Sequence, residues 1–169
     1  MSQIIEPLSP VFHAGVEHSA RACKAARHTR VQHLITADES SLLDLAALLA
    51  TLPICSTGRV FIEVPDEASI VSLDAPARMT VTWLDRSSRS GAAGTGQPCA
   101  PGSALSRAVT AWADEMLCAE DDHTRVFLMG GYLGTADIVD HLVDGLGVDA
   151  GSIHAPAQFG LGVSAVAAS

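Results

Sequence analysis

The residues best suited to chemistry lie in two turns. The first is Thr36-Ala37-Asp38-Glu39-Ser40, between the apolar run Val31-Gln32-His33-Leu34-Ile35 and a segment in which Leu42, Leu45, Ala46 and Leu49 recur at i, i+3, i+4, i+7. The run predicts a strand, and the recurrence predicts a helix with one buried face. The second turn is Gly130-Gly131, after the strand-like Arg125-Val126-Phe127-Leu128-Met129. A turn from strand into helix presents free backbone N–H groups and the positive end of a helix dipole, which suits phosphate. Adjacent glycines let a ligand lie against the backbone, although a plain tight turn explains them equally well. Arg86 offers a guanidinium fork that can grip a phosphate or carboxylate at two points. A solvated loop charge explains Arg86 and Arg89 as readily.

Other chemistry-bearing types carry less. The cysteines (Cys23, Cys55, Cys99, Cys118) are scattered without a C-x-x-C pair, which argues against a zinc ribbon, a thioredoxin motif or an iron–sulfur centre. His13, His18 and His28 form no H-x-x-x-H or H-E-x-x-H pattern, so no metal is expected. His33 reads as a core histidine in an apolar strand, His141 as a residue of a polar helix face. Neither these nor His123 and His154 is assigned catalysis, and the catalytic set is left empty.

The elements that must position the two turns can be read in order. Pro53 stops the first helix, whose start is marked by the capping-box patterns Thr36-x-x-Glu39 and Ser41-x-x-Asp44. Gly58 to Pro65 and the alternating Met79 to Leu84 read as strands, with no room for a full helix between them. Residues 87–103, SSRSGAAGTGQPCAPGS, are expected to be a mobile flap or disordered. Leu105, Ala108, Val109, Trp112 and Met116 share a face of a helix over 104–119. Leu133, Ala136, Val139, Leu142, Val143 and Leu146 define a last helix closed by Gly147. Residues 152–155 make a short final strand. The order β-α-β-β-α-β-α-β predicts an α/β fold, an open parallel sheet with helices on both faces. In such a sheet the two turns belong at the carboxyl edge, where ligands bind.

Composition sets the bounds. The 169 residues suit one domain, and 48% hydrophobic residues are ample for a core. The net charge of −9 disfavours nucleic acid and anionic membrane as partners. No apolar stretch is long enough to span a bilayer and the start lacks a signal-peptide pattern, so a cytoplasmic location is expected. Residues 1–30 read as a separate N-terminal extension, with Arg21, Lys24, Arg27 and Arg30 as a basic stripe on a helix from Val16 to His28 that packs on the core or on a partner. Residues 31–162 form the domain and residues 163–169 a tail.

Four stretches resemble the siderophore-interacting proteins, the flavin-dependent ferric-siderophore reductases. Ala37-Asp38-Glu39-Ser40-Ser41-Leu42-Leu43 resembles their Gly-Asp-Glu-Thr-Ala-Leu-Pro turn, with Ala37 in place of Gly and Leu43 in place of Pro. Gly130 matches the glycine of their Ala-Gly-Glu motif, with Gly131 in place of Glu. The stretch 153–162 is similar to their Ser-Gly-Tyr-Trp-x-x-Gly-like end, where Phe159 keeps one aromatic and Gln158 replaces the other. Trp83-Leu84-Asp85-Arg86 is similar to their Trp-Leu-His-Arg.

The resemblance implies a Rossmann-like NAD(P)H domain related to that of ferredoxin reductases. It implies cofactor contacts at Thr36, Ala37, Asp38, Glu39, Ser40, Arg86, Gly130, Gly131 and Phe159, with Arg86 in the place that holds an adenosine 2′-phosphate. Asp85 before it favours the bare ribose of NAD, so NADH and NADPH both stay open. It covers 31–162 and leaves out the family's flavin barrel with its Arg-x-Tyr-Thr-type motif. The expectation is therefore no bound FAD, weak NAD(P)H binding because Ala37 crowds the phosphate and Asp38 and Glu39 add negative charge, and a flavin-bearing reductase subunit as partner. Self-association into a homo-oligomer is left open. The alternative expectation is a binding or regulatory module that keeps the fold and has lost redox activity.

Overall fold

In the computed structural model, which describes residues 32–117 and 124–166, six parallel strands form one sheet. They are β1 (Gln32–Asp38), β2 (Thr57–Val64), β3 (Arg78–Asp85), β4 (Arg125–Leu128), β5 (Ile153–Pro156) and β6 (Ser164–Val166). The order across the sheet is β3-β2-β1-β4-β5-β6. The chain thus reverses direction across the sheet between β1 and β4, which is the switch point of a doubly wound fold. The helices are α1 (Leu42–Thr51), α2 (Ser103–Met116) and α3 (Tyr132–Asp140).

Alternation along the strands divides the core. Ile35, Ala37, Val60, Ile62, Val64 and Met79 point to one face and pack with Leu45 and Leu49 of α1. Leu34, Phe61, Leu84, Val126, Leu128 and Ile153 point to the other and pack with Leu105, Val109 and Ala113 of α2 and Ile138 of α3. Period two in the strands and period 3.6 in the helices produce this division directly. Leu34, Ile35, Val60, Ile62 and Leu128 are fully buried. Val81 and Trp83 are only half-buried because β3 is an edge strand, and Phe127 is half-buried too.

Several expectations need correction. Residues 164–166, within the segment read as a tail, form a sixth strand paired with β5. Ser41 occupies the N-cap of α1 but makes no capping bond; its hydroxyl turns back towards Asp38. The last helix does not run unbroken to Leu146: after Asp140 it widens into a π-type turn, His141–Gly145. The 87–103 segment, expected to be a mobile flap or disordered, carries defined bonds. Ser90 and Pro98 bridge, and Arg107 of α2 donates to the carbonyls of Ser90 at 3.1 Å and Gly91 at 3.4 Å. The basic helix proposed before His28, Cys23, Cys118, Ala119 and His123 lie outside the described residues.

One glycine contact fixes the helix pair. Gly102, the N-cap of α2, has φ of +84°, and a Cβ there would meet the Gly134 nitrogen of α3 at 2.8 Å. The start of α2 is thereby seated against the first turn of α3, both at the carboxyl edge of the sheet.

Candidate functional site

The two turns singled out in the sequence stand side by side, because β1 and β4 are adjacent and parallel. Asp38 ends β1 and directs its carboxylate across the gap: a Cβ on Gly131 would lie 3.4 Å from its Oδ2. Its Oδ1 accepts from the Ser40 backbone N–H at 2.9 Å and the Ser40 hydroxyl at 2.6 Å. The Asp38 N–H in turn donates to the Ser41 hydroxyl at 3.0 Å. The turn is therefore a closed hydrogen-bonded loop with the carboxylate as its hub, a local Asx arrangement.

Glu39, one residue on, reaches a different partner. It takes Arg86 from the end of β3 in a two-point grip, at 2.9 Å from Nη2 and 3.3 Å from Nη1. Arg86 Nη1 also donates to Glu63 at 3.0 Å. Glu63 is 1% exposed. It lies on the α2 face of β2, since Phe61 two residues earlier does, and it accepts the backbone N–H groups of Gly102 at 2.7 Å and Leu105 at 2.8 Å. A carboxylate from a strand thus caps α2, where glycine at the N-cap offers no side chain. The Glu39 bond, foremost, and the Glu63 bond raise the Arg86 pKa and keep it charged.

The other candidates fall around this centre. Thr36 is fully buried beneath the edge, and its Oγ1 has no hydrogen-bond partner among the described residues. Ala37 is also fully buried and its methyl belongs to the core under α1, so crowding of a phosphate does not come from that methyl; Asp38 and Glu39 dominate the surface there. Gly130 lies against α2: a Cβ there would meet Leu105 Cδ2 at 3.0 Å. Phe159, in the turn after β5, is half-buried and lies edge-to-face on Tyr132 with ring centroids 5.5 Å apart. Asp85 is held in its own turn by Ser87, whose hydroxyl, as the largest cause, lowers its pKa.

Three residues of this arrangement were not assigned to it from sequence. Glu63 could have been noticed as an acid in an otherwise apolar strand; its capping role could not, with the capped helix some forty residues further on. Tyr132 follows Gly131 directly and is half exposed. Ser41 closes the turn rather than starting a capping box. Among the described residues the arrangement is rich in acceptors and poor in free cations. A carboxylate already stands at the start of each of the three α-helices among the described residues: Asp38 in the turn before α1 and beside Gly131 of α3, Glu63 on α2. Such a crevice receives hydroxyl and amide donors well and anions poorly. Among the described residues no helix is long and apolar enough to cross a membrane.

A doubly wound parallel sheet with paired turns at its switch point defines a Rossmann-like domain. The chain belongs to the siderophore-interacting protein family, whose profile matches residues 30–157. A siderophore utilization protein from T. fusca is similar in structure, with TM-score 0.51 and 27% identity over 72% of this chain and 41% of that one. The siderophore-interacting protein SipS from Aeromonas hydrophila aligns with TM-score 0.41 and 19% identity over 60% of this chain and 38% of its own. Uncharacterized proteins of Mycobacterium tuberculosis and Mycobacterium bovis are 40% identical over 57 residues, which is 34% of this chain and 20% of theirs. The chain thus spans less than half of each of these relatives.

Proposed function

We propose that this domain binds NAD(P)H weakly in the crevice over the carboxyl ends of β1 and β4 and serves as the nucleotide half of a cytoplasmic ferric-siderophore reductase. The observation that carries the reading is the meeting of the Thr36–Ser40 turn with Gly130-Gly131 at the switch point. The backbone of both turns would hold the dinucleotide, with Asp38 and Glu39 accepting from ribose hydroxyls. The bare backbone at Gly131 fits such a guest; the carboxylates at the helix starts do not fit its phosphates, and this is why binding is weak. Phe159 and Tyr132 offer ring faces at the rim.

The bound dinucleotide would supply hydride, a two-electron unit, whereas ferric iron takes one electron. A flavin divides the pair between them, and in this reading a partner chain carries it. The chain's own part is to bind, orient and present. A second reading is a binding or regulatory module without redox activity, and the engagement of Arg86 by two carboxylates favours it.

The test is NAD(P)H consumption with a ferric siderophore. The chain alone, without added flavin, should not exceed the uncatalysed rate. Addition of a flavin-barrel subunit should start turnover, slowed by Phe159→Ala. Turnover by the isolated chain would sink the division of labour. Nucleotide binding without turnover in any combination would favour the second reading.

A further inference from the structure

We propose that Glu39 is a built-in mask on Arg86, which makes the crevice accept the bare ribose of NADH and reject the 2′-phosphate of NADPH. The inference rests on the nucleotide reading above and adds the discrimination to it. Arg86 stands beside the first turn and carries the donor fork that a phosphate monoester needs. That fork is already divided. Its inner partner, Glu63, is 1% exposed and fixed by two backbone N–H groups, so it cannot leave. Its outer partner, Glu39, is 40% exposed, sits in a surface turn and is bonded to Arg86 alone among the described residues. The outer edge of the guanidinium is therefore where a second anion would arrive, and Glu39 stands there first.

A 2′-phosphate must displace Glu39 and then remain beside its charge and that of Asp38. A free 2′-hydroxyl meets the opposite situation, since a carboxylate accepts its hydrogen bond without moving. One side chain thus cancels the cation that would favour NADPH and supplies an acceptor that favours NADH. Removal of Glu39 leaves Arg86 anchored by Glu63 with its outer edge free and already oriented.

The experiment is calorimetric titration of the full chain and of Glu39→Ala and Glu39→Gln with NADH and with NADPH, each variant first checked by thermal melting. The wild-type chain should prefer NADH. Glu39→Ala should shift the NADPH-to-NADH affinity ratio towards NADPH by about tenfold or more, the size of one charge-assisted hydrogen bond. Glu39→Gln, neutral but still able to accept from the guanidinium, should give a smaller shift of the same sign. A wild type that prefers NADPH overturns the mask, as does an unchanged ratio in both variants while NADH still binds. If neither nucleotide binds any of the three proteins, the nucleotide reading falls and the mask falls with it.

Discussion

The Glu63 carboxylate accepts the Gly102 N–H at 2.7 Å, so a buried acid on β2 caps a helix whose N-cap lies thirty-nine residues later. This bond joins the sheet, the α2 start and, through Arg86, the Glu39 turn. Glu63→Ala removes the acceptor of two helix N–H groups and of Arg86 together, and the expected loss is about 3 kcal/mol of unfolding free energy. Glu39→Ala breaks a bond whose acid is 40% exposed, and the expected loss is below about 1 kcal/mol. Urea denaturation of the two variants checks the ranking. Equal losses would show that the inner and outer halves of the Arg86 bridge are not distinct.

Gly102→Ala tests how α2 is seated. The φ of +84° disfavours a side chain, and the added Cβ would press on the Gly134 backbone at 2.8 Å. Strain of that kind costs about 1–3 kcal/mol, before the displacement of α3 is counted. Thermal melting should show a lower midpoint than for Ser103→Ala next to it. An unchanged midpoint would contradict the close helix contact.

These relationships explain which parts were legible in the sequence. The β1–α1 unit and the Gly130-Gly131 turn were readable because strand and helix periods are local and strong there. β6 was not, because three small residues carry no period and owe their strand to pairing with β5. Arg86 was picked out as a phosphate grip from the resemblance, with the chemistry of its fork in support. Its engagement by Glu39 and Glu63 depends on β3, β2 and β1 lying side by side, which no spacing reveals. The 87–103 segment looked unstructured by composition, but Arg107 holds it from a helix whose surface charge gave no such sign.

His33 gives an acid-sensitive contribution. Burial, the largest cause, lowers its pKa, opposed by the Thr57 carbonyl and aided by Arg125. His154 shifts the same way, by burial and Arg125, and both rings flank Phe127, with centroids 6.3 Å and 4.9 Å away. A histidine with a depressed folded pKa is taken up neutral. Its contribution is intact above the unfolded value of about 6.5 and is lost as pH falls below it, because the unfolded chain then binds the proton more readily. Unfolding free energy should fall as pH drops below about 6.5, and less steeply in His33→Leu. A slope unchanged by that substitution would remove His33 as its source.

The central claim is a nucleotide in the crevice over β1 and β4. Backbone amide chemical shifts followed by NMR during an NADH titration test it most directly. The account predicts saturating shifts concentrated in Thr36–Ser40, Arg86, Gly130–Tyr132 and Phe159, with the amides of the opposite, amino edge of the sheet unmoved. Shifts confined elsewhere, or none at millimolar NADH, would contradict it.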